Sequence, residues 1–158
     1  MFGWFDKKHL GWLSRFMEKT MVFPIPGDGK FMRQPLFVND ICKVVHACLK
    51  QKPRNKTFNI IGKEKISYID LMKKIRDVKK LSVIILPIPI PLFEKALQFY
   101  GFFSNQPPFT PDQLKALTAG DEFPIFAWWK KFHVTPTPLN EALQITFAGK
   151  YSKIICQP

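Results

Sequence analysis

The sequence predicts an α/β fold with irregular connections, and three observations carry that prediction. Residues 23–50 compress a loop set by Pro24, Pro26, Gly27 and Gly29, a brief apolar run and an amphipathic helix into one short stretch. Extended runs then alternate with helical periodicities in the coarse order β-α-β-α-β-α, which suits a small parallel sheet with right-handed crossovers. Finally, 14 prolines in 158 residues are many for this length and call for a loop-rich architecture. A hydrophobic content of 46% is enough for the core of one domain.

Residues 9–19 read as a helix with His9, Trp12, Leu13, Phe16 and Met17 on one side. Residues 21–26 are extended, and Gly27-Asp28-Gly29 is a turn. Leu36, Phe37 and Val38 form a short strand candidate, after which Asn39 and Asp40 can cap a helix by accepting its first free N–H groups. In that helix Ile41, Val44, Val45 and Cys48 recur at i, i+3, i+4 and i+7 as one buried stripe. A polar turn at 53–56 leads to a second strand at 57–61, ended by Gly62. Ser67 with Asp70 resembles a capping box and opens a helix whose apolar stripe is Tyr68, Leu71, Met72, Ile75 and Val78. Lys73, Lys74, Arg76 and Lys79 then face water.

Residues 82–86 are a third strand candidate, and Pro87, Pro89 and Pro91 force an extended exit. A helix over 92–102 buries Phe93, Ala96, Leu97 and Tyr100. Thr110-Pro111-Asp112-Gln113 is a helix start with an N-cap and proline at the first position. Residues 123–132 are aromatic-rich and fit a helix, and Thr137-Pro138 opens a last helix carrying Leu139, Ala142, Leu143 and Phe147. Residues 148–158 lack periodicity and read as a tail, so the lobe spans 1–147. The expected architecture is two or three short strands and about six helices.

The net charge of +12 admits an anionic ligand, an anionic polymer or membrane, or a basic piece separated from an acidic remainder. Solvated lysine faces are its simplest meaning. Three cysteines do not make a disulfide framework. Cys42 and Cys48 point in different directions from one helix, and the pattern fits a reducing, cytoplasmic compartment. His9, His46 and His133 show no metal-ligand spacing, so no metal is expected. Residues 81–93 are apolar but shorter than the ~20 residues of a spanning helix, and prolines break them. No secretory leader is expected, because Asp6, Lys7 and Lys8 interrupt any apolar run.

The glycine-containing loop followed by Arg33-Gln34-Pro35-Leu36-Phe37-Val38-Asn39-Asp40-Ile41 resembles the second half of an extended or atypical short-chain dehydrogenase/reductase. It is similar to the NAD-dependent epimerase/dehydratase group, including the nucleotide-binding accessory subunit of respiratory complex I. Met1-Phe2-Gly3 resembles the end of that family's Arg-Pro-x-x-x-Tyr-Gly segment, with Phe2 in the tyrosine's place. The resemblance extends to about residue 147. It implies the C-terminal, substrate-binding portion of a Rossmann-like protein, with the nucleotide-binding βαβ half outside the chain. It also implies NAD or NADP as the cofactor of the full-length protein, with none expected to be bound tightly by these residues alone. An arginine at the position of Arg33 commonly contacts the diphosphate of a nucleotide sugar in this family; Lys30 and Gln34 are its neighbours. Phe2 and Gly3 are cofactor-side candidates by the same carry-over.

The catalytic constellation of the family is absent. Tyr68, Tyr100 and Tyr151 are followed four places on by Met72, Ser104 and Ile155, so no Tyr-x-x-x-Lys occurs, nor does GxGxxG or Gly-x-Ser-x-Gly. No catalytic residue is assigned, and the chain alone is expected to be inactive. Guanidinium offers phosphate a planar, permanently charged fork, which makes Arg33 a sound binding residue; an internal pairing with Asp28 or Asp40 competes with that role. The expected partners are an anionic small-molecule substrate and the missing N-terminal half. A large apolar surface where that half would dock also favours association between copies. The competing function is a non-catalytic interaction subunit that retains a reductase-like fold. A basic membrane-surface or nucleic-acid binder ranks third, because the Lys and Arg residues are scattered and no aromatic-interleaved RNA motif appears.

Overall fold

The computed structural model describes residues 1–6, 8–52, 55–103, 111–120 and 123–149; the side chains of 99–103 and 111–113 are also outside the description. Helix α1 (Leu10–Lys19) leads to strand β1 (Val22–Pro26) and, through the turn at 27–30, to β2 (Met32–Arg33). Helix α2 (Val38–Gln51), strand β3 (Ile66–Ser67), helix α3 (Tyr68–Val78) and strand β4 (Ile84–Ile88) follow. Helices α4 (Ile90–Phe103), α5 (Pro111–Ala119), α6 (Trp128–Phe132) and α7 (Leu139–Phe147) complete the order. The predicted α/β class holds, with a small parallel sheet beside seven helices among the described residues.

Strands β1 and β4 pair in parallel, Val22 opposite Ile84 and Pro26 opposite Ile88. Strands β2 and β3 form a separate antiparallel pair, Met32 opposite Ser67 and Arg33 opposite Ile66. Among the described residues, each strand of the parallel pair has a neighbour on one side only. That explains why Pro24, Pro26 and Pro87 are tolerated: a residue without an N–H can sit in a strand whose other edge has no partner. The turn between β1 and β2 needs Gly27 and Gly29, both at positive φ.

The larger core lies between β1, α1, α3 and α7. Phe23 and Ile25 of β1, Met17 of α1, Leu71, Met72 and Ile75 of α3, and Leu143 and Phe147 of α7 are buried in it. Each such side chain contributes roughly 1.5–3 kcal/mol through removal of apolar surface from water. Ser67 caps α3 as expected, its Oγ accepting from the Asp70 N–H at 3.2 Å. The reciprocal contact differs from the usual box, since the Ser67 hydroxyl donates to the Asp70 carboxylate at 2.6 Å. Helix α1 is capped from a distance: Asp6 Oδ1 accepts from the N–H groups of Lys8 and His9, and Oδ2 from Gly11. A second, smaller cluster gathers Leu36, Val44, Trp128 and Phe132, with Phe58, Ile60 and Phe126 packed against it.

Several expectations are corrected. Residues 36–38 are not a strand: apart from one parallel bridge between Phe2 and Phe37, the chain enters α2 directly at Val38. Asn39 and Asp40 therefore lie inside the first turn rather than capping it, and no side chain caps α2. Within α2, Val44 is buried but Val45 is 54% exposed, so the stripe is narrower than its periodicity suggests. Residues 57–61 are extended without a ladder; their alternation is real, but Phe58 and Ile60 pack on aromatic rings of the second cluster rather than in a sheet. Lys79 does not face water. Its side chain is 6% exposed, bonds Glu18 at 2.7 Å and reaches the buried Ser14 hydroxyl at 3.3 Å, tying α3 to α1. Ala96 is exposed, and only 128–132 of the 123–132 segment is helical. The third strand lies two residues later than expected, and α4 starts earlier, at Ile90. The Thr110 cap, the Tyr100 side chain, Cys156, Pro53, Arg54 and most of the tail lie outside the description.

Candidate substrate-binding site

Arg33 ends the short strand β2, and its pairing opposite Ile66 fixes where its side chain departs. The guanidinium lies 5.7 Å from the centroid of the Phe31 ring, which itself stacks on Tyr68 at 5.0 Å. A cation over an aromatic face is attracted by the ring quadrupole, and the planar guanidinium suits that position better than a lysine. Arg33 Nη2 also donates to the Leu117 carbonyl near the end of α5. Tyr68 is buried beneath this stack. Burial pushes its phenol above the ordinary tyrosine range, and nearby Arg33 offsets only part of that, so Tyr68 stays neutral and serves as a wall.

The two carboxylates that competed for Arg33 are engaged elsewhere. Asp28 meets Lys30, whose backbone N–H it accepts at 2.9 Å and whose ammonium stands 3.9 Å away. Asp40 is buried and accepts from Thr137, from both the backbone N–H and the hydroxyl at 2.8 Å, and from Lys43 at 3.1 Å. Lys30 is exposed on its turn. Gln34 uses its amide as a substitute peptide: Oε1 accepts from the Phe123 N–H at 2.8 Å and Nε2 faces the Phe123 carbonyl at 3.4 Å. Arg33 and Gln34 thus tie Leu117 and Phe123 to the end of β2.

Phe2 and Gly3 stand at a different place. The Phe2 N–H donates to Leu36 and its carbonyl accepts from Val38, which zips the first residues beside the entrance to α2. Phe2 is 2% exposed, with its ring 5.7 Å from that of Phe37. Gly3 is needed for close approach, since an added Cβ would meet Val38 Cγ1 at 2.2 Å. Phe2 lines a cavity of about 240 Å³ bounded by Asp40, Glu64, Trp128 and Thr137. Glu64 is already used there, accepting from the Leu139 N–H at 2.7 Å and so capping α7 from outside. At this size the cavity is smaller than the ~300 Å³ at which small-molecule sites begin.

Comparison with solved structures places this architecture. A triphenylmethane reductase from a Citrobacter species matches with a TM-score of 0.60 and 19% identity, over 85% of this chain and 46% of that one. A second structure of that reductase, complexed with NADP(H), matches with a TM-score of 0.60 over 47% of its length. The UDP-glucuronic acid 4-epimerase from Bacillus cereus, in complex with NAD, matches with a TM-score of 0.52 and 17% identity, over 87% of this chain and 35% of that one. The chain shares the fold of one part of these structures. The chain spans less than half the length of each of these three solved chains. No family model and no curated protein matches the sequence. Among the described residues no helix is long and apolar enough to cross a membrane.

Sequence reasoning missed the polar ties that assemble the site: Asp40 to Thr137, Glu64 to Leu139, and Gln34 to Phe123. Each joins residues far apart in the chain, and a side chain bonding a distant backbone N–H leaves no periodic signal in sequence.

Proposed function

We propose that this chain is the substrate-side, C-terminal part of an NAD(P)-dependent reductase or epimerase acting on a nucleotide sugar or a similar anionic substrate. Turnover in this reading requires a nucleotide-binding half that these residues do not contain. The observation that carries it is Arg33, stacked on Phe31 at the end of β2, in a chain that shares its fold with less than half of two nicotinamide-dependent enzymes. Arg33 binds the diphosphate as a charged fork, with Lys30 adding a mobile second charge. Gln34 acts on the same ligand from its place between β2 and Phe123. Phe2 and Gly3 border the nicotinamide side, and the cofactor supplies the hydride chemistry. Calorimetric titration of the chain with UDP-glucuronate tests the assignment. Saturable heats weakened about tenfold by Arg33→Ala are expected; heats unchanged by that substitution remove Arg33 from the site.

A second reading is a non-catalytic interaction subunit with a reductase-like fold. It is favoured by one observation: Arg33 Nη2 and the Gln34 amide, groups that would meet a ligand, already bond Leu117 and Phe123 of the chain itself. Co-purification with a large assembly, and no turnover after a nucleotide-binding half is restored, would select it.

A further inference from the structure

One face of α2 carries Lys43, His46 and Lys50 at i, i+3 and i+7, the spacing that aligns side chains along a helix. Opposite that face runs the segment leaving α6, with His133 and Thr135. Between them lies an open hollow of about 590 Å³, floored by Phe132, Ala47 and Val134. Two lysines and two histidines line it, and no carboxylate does. Lys43 shares its charge with buried Asp40, whereas Lys50, His46 and His133 are exposed. Lys130 and Lys131 in the last turn of α6 add to the same positive field. Concave walls of one sign of charge concentrate counter-ions more strongly than the same charges on a flat face.

The backbone supplies an independent observation. His133 closes α6 in the left-handed region, at φ 53, where glycine is the unstrained choice. From that position His133 lines the same hollow as Lys43, His46 and Lys50 of α2. The hollow stands on α2 and α6, away from Arg33 on β2.

We propose that this hollow is a phosphate-binding site that takes a compact phosphomonoester or diphosphate group. Lys50 and Lys43 provide the charge, His46 and His133 provide directional N–H donors, and the Thr135 hydroxyl completes the set. The site does not depend on the reductase reading. The phosphate can belong to a free metabolite or to a lipid headgroup, since both present the same oxygens.

Pyrophosphate is titrated into the 158-residue chain at constant ionic strength while the histidine ring signals are followed by NMR. Saturable shifts of His46 and His133, with His9 unmoved, are expected. Lys50→Glu should weaken binding at least about fivefold. His133→Gly should weaken it as well, and because glycine suits that backbone the loss cannot be assigned to unfolding. Vesicles carrying phosphatidate separate the sources: binding to them without a response to pyrophosphate assigns the site to a headgroup, and the converse assigns it to a soluble ligand. Linear shifts shared by all three histidines, or affinity indifferent to both substitutions, overturn the proposal.

Discussion

The two hydrophobic clusters are built on different principles. The larger one joins α1, β1, α3 and α7 through aliphatic, methionine and aromatic side chains, many of them at helical spacing, and an ion pair between the buried Lys79 side chain and exposed Glu18 stitches its edge. The smaller one is aromatic and discontinuous, and its parts come from residues 36–60 and 126–134. It is held by directional contacts: Phe58 stacks on Phe126 and meets Phe132 edge-on, and Trp128 Nε1 donates to the Ile61 carbonyl at 2.8 Å. Repeated stripes make a core that tolerates small shifts. A cluster of few rings and few hydrogen bonds loses more of its definition with each part removed.

The difference can be broken first at the larger core. Leu143→Ala, at a fully buried position on α7, should cost about 3 to 4 kcal/mol by urea unfolding. Asp40→Ala should cost about 2 to 3 kcal/mol, because it leaves the Thr137 N–H without its acceptor. Trp128→Phe keeps most of the ring but strands the Ile61 carbonyl, for about 1 to 2 kcal/mol. If the clusters open separately, hydrogen exchange in Trp128→Phe will accelerate around residues 58–61 and 126–134 while α3 keeps its protection. Uniform acceleration would show a single cooperative unit instead.

Ser67→Ala should cost about 1 kcal/mol through its cap. The Ser67 hydroxyl, with Lys73 and Lys74 adding to it, holds the Asp70 carboxyl below the usual carboxylate range. A group depressed on folding stabilises the fold above its unfolded value and loses that contribution as pH falls through its folded one. The gap between wild type and Ser67→Ala should therefore narrow in acid. The smallest effect is expected on the open side of α2. Val45→Lys with Leu49→Lys should change stability by no more than about 0.5 kcal/mol while reducing self-association in sedimentation, since both side chains are exposed.

The larger core was mostly legible in sequence because its stripes are local: Leu71, Met72 and Ile75 on α3, and Leu139, Ala142 and Leu143 on α7, sit at spacings visible in the chain. The second cluster was not. Residues 57–61 have strand composition and strand alternation, yet whether an extended run finds a ladder partner depends on what lies beside it in space. Strands β2 and β3 are two residues each, too short to leave a period. Lys79 was misassigned for a related reason: its helix position says solvent, and only the arrival of Glu18 on α1 makes it interior. At the site, Arg33 was singled out by its place before α2, while its contact with Leu117 spans too much chain to be read locally.

Gly62 passes so close to Pro35 that a Cβ built on it would stand 2.1 Å from the Pro35 oxygen. Two backbones cross there with no thickness to spare, so the crossing fixes the spelling of the gene at that codon. A saturation library over residues 58–66 screened for solubility should return one letter at 62 and many at exposed Lys63 and Lys65.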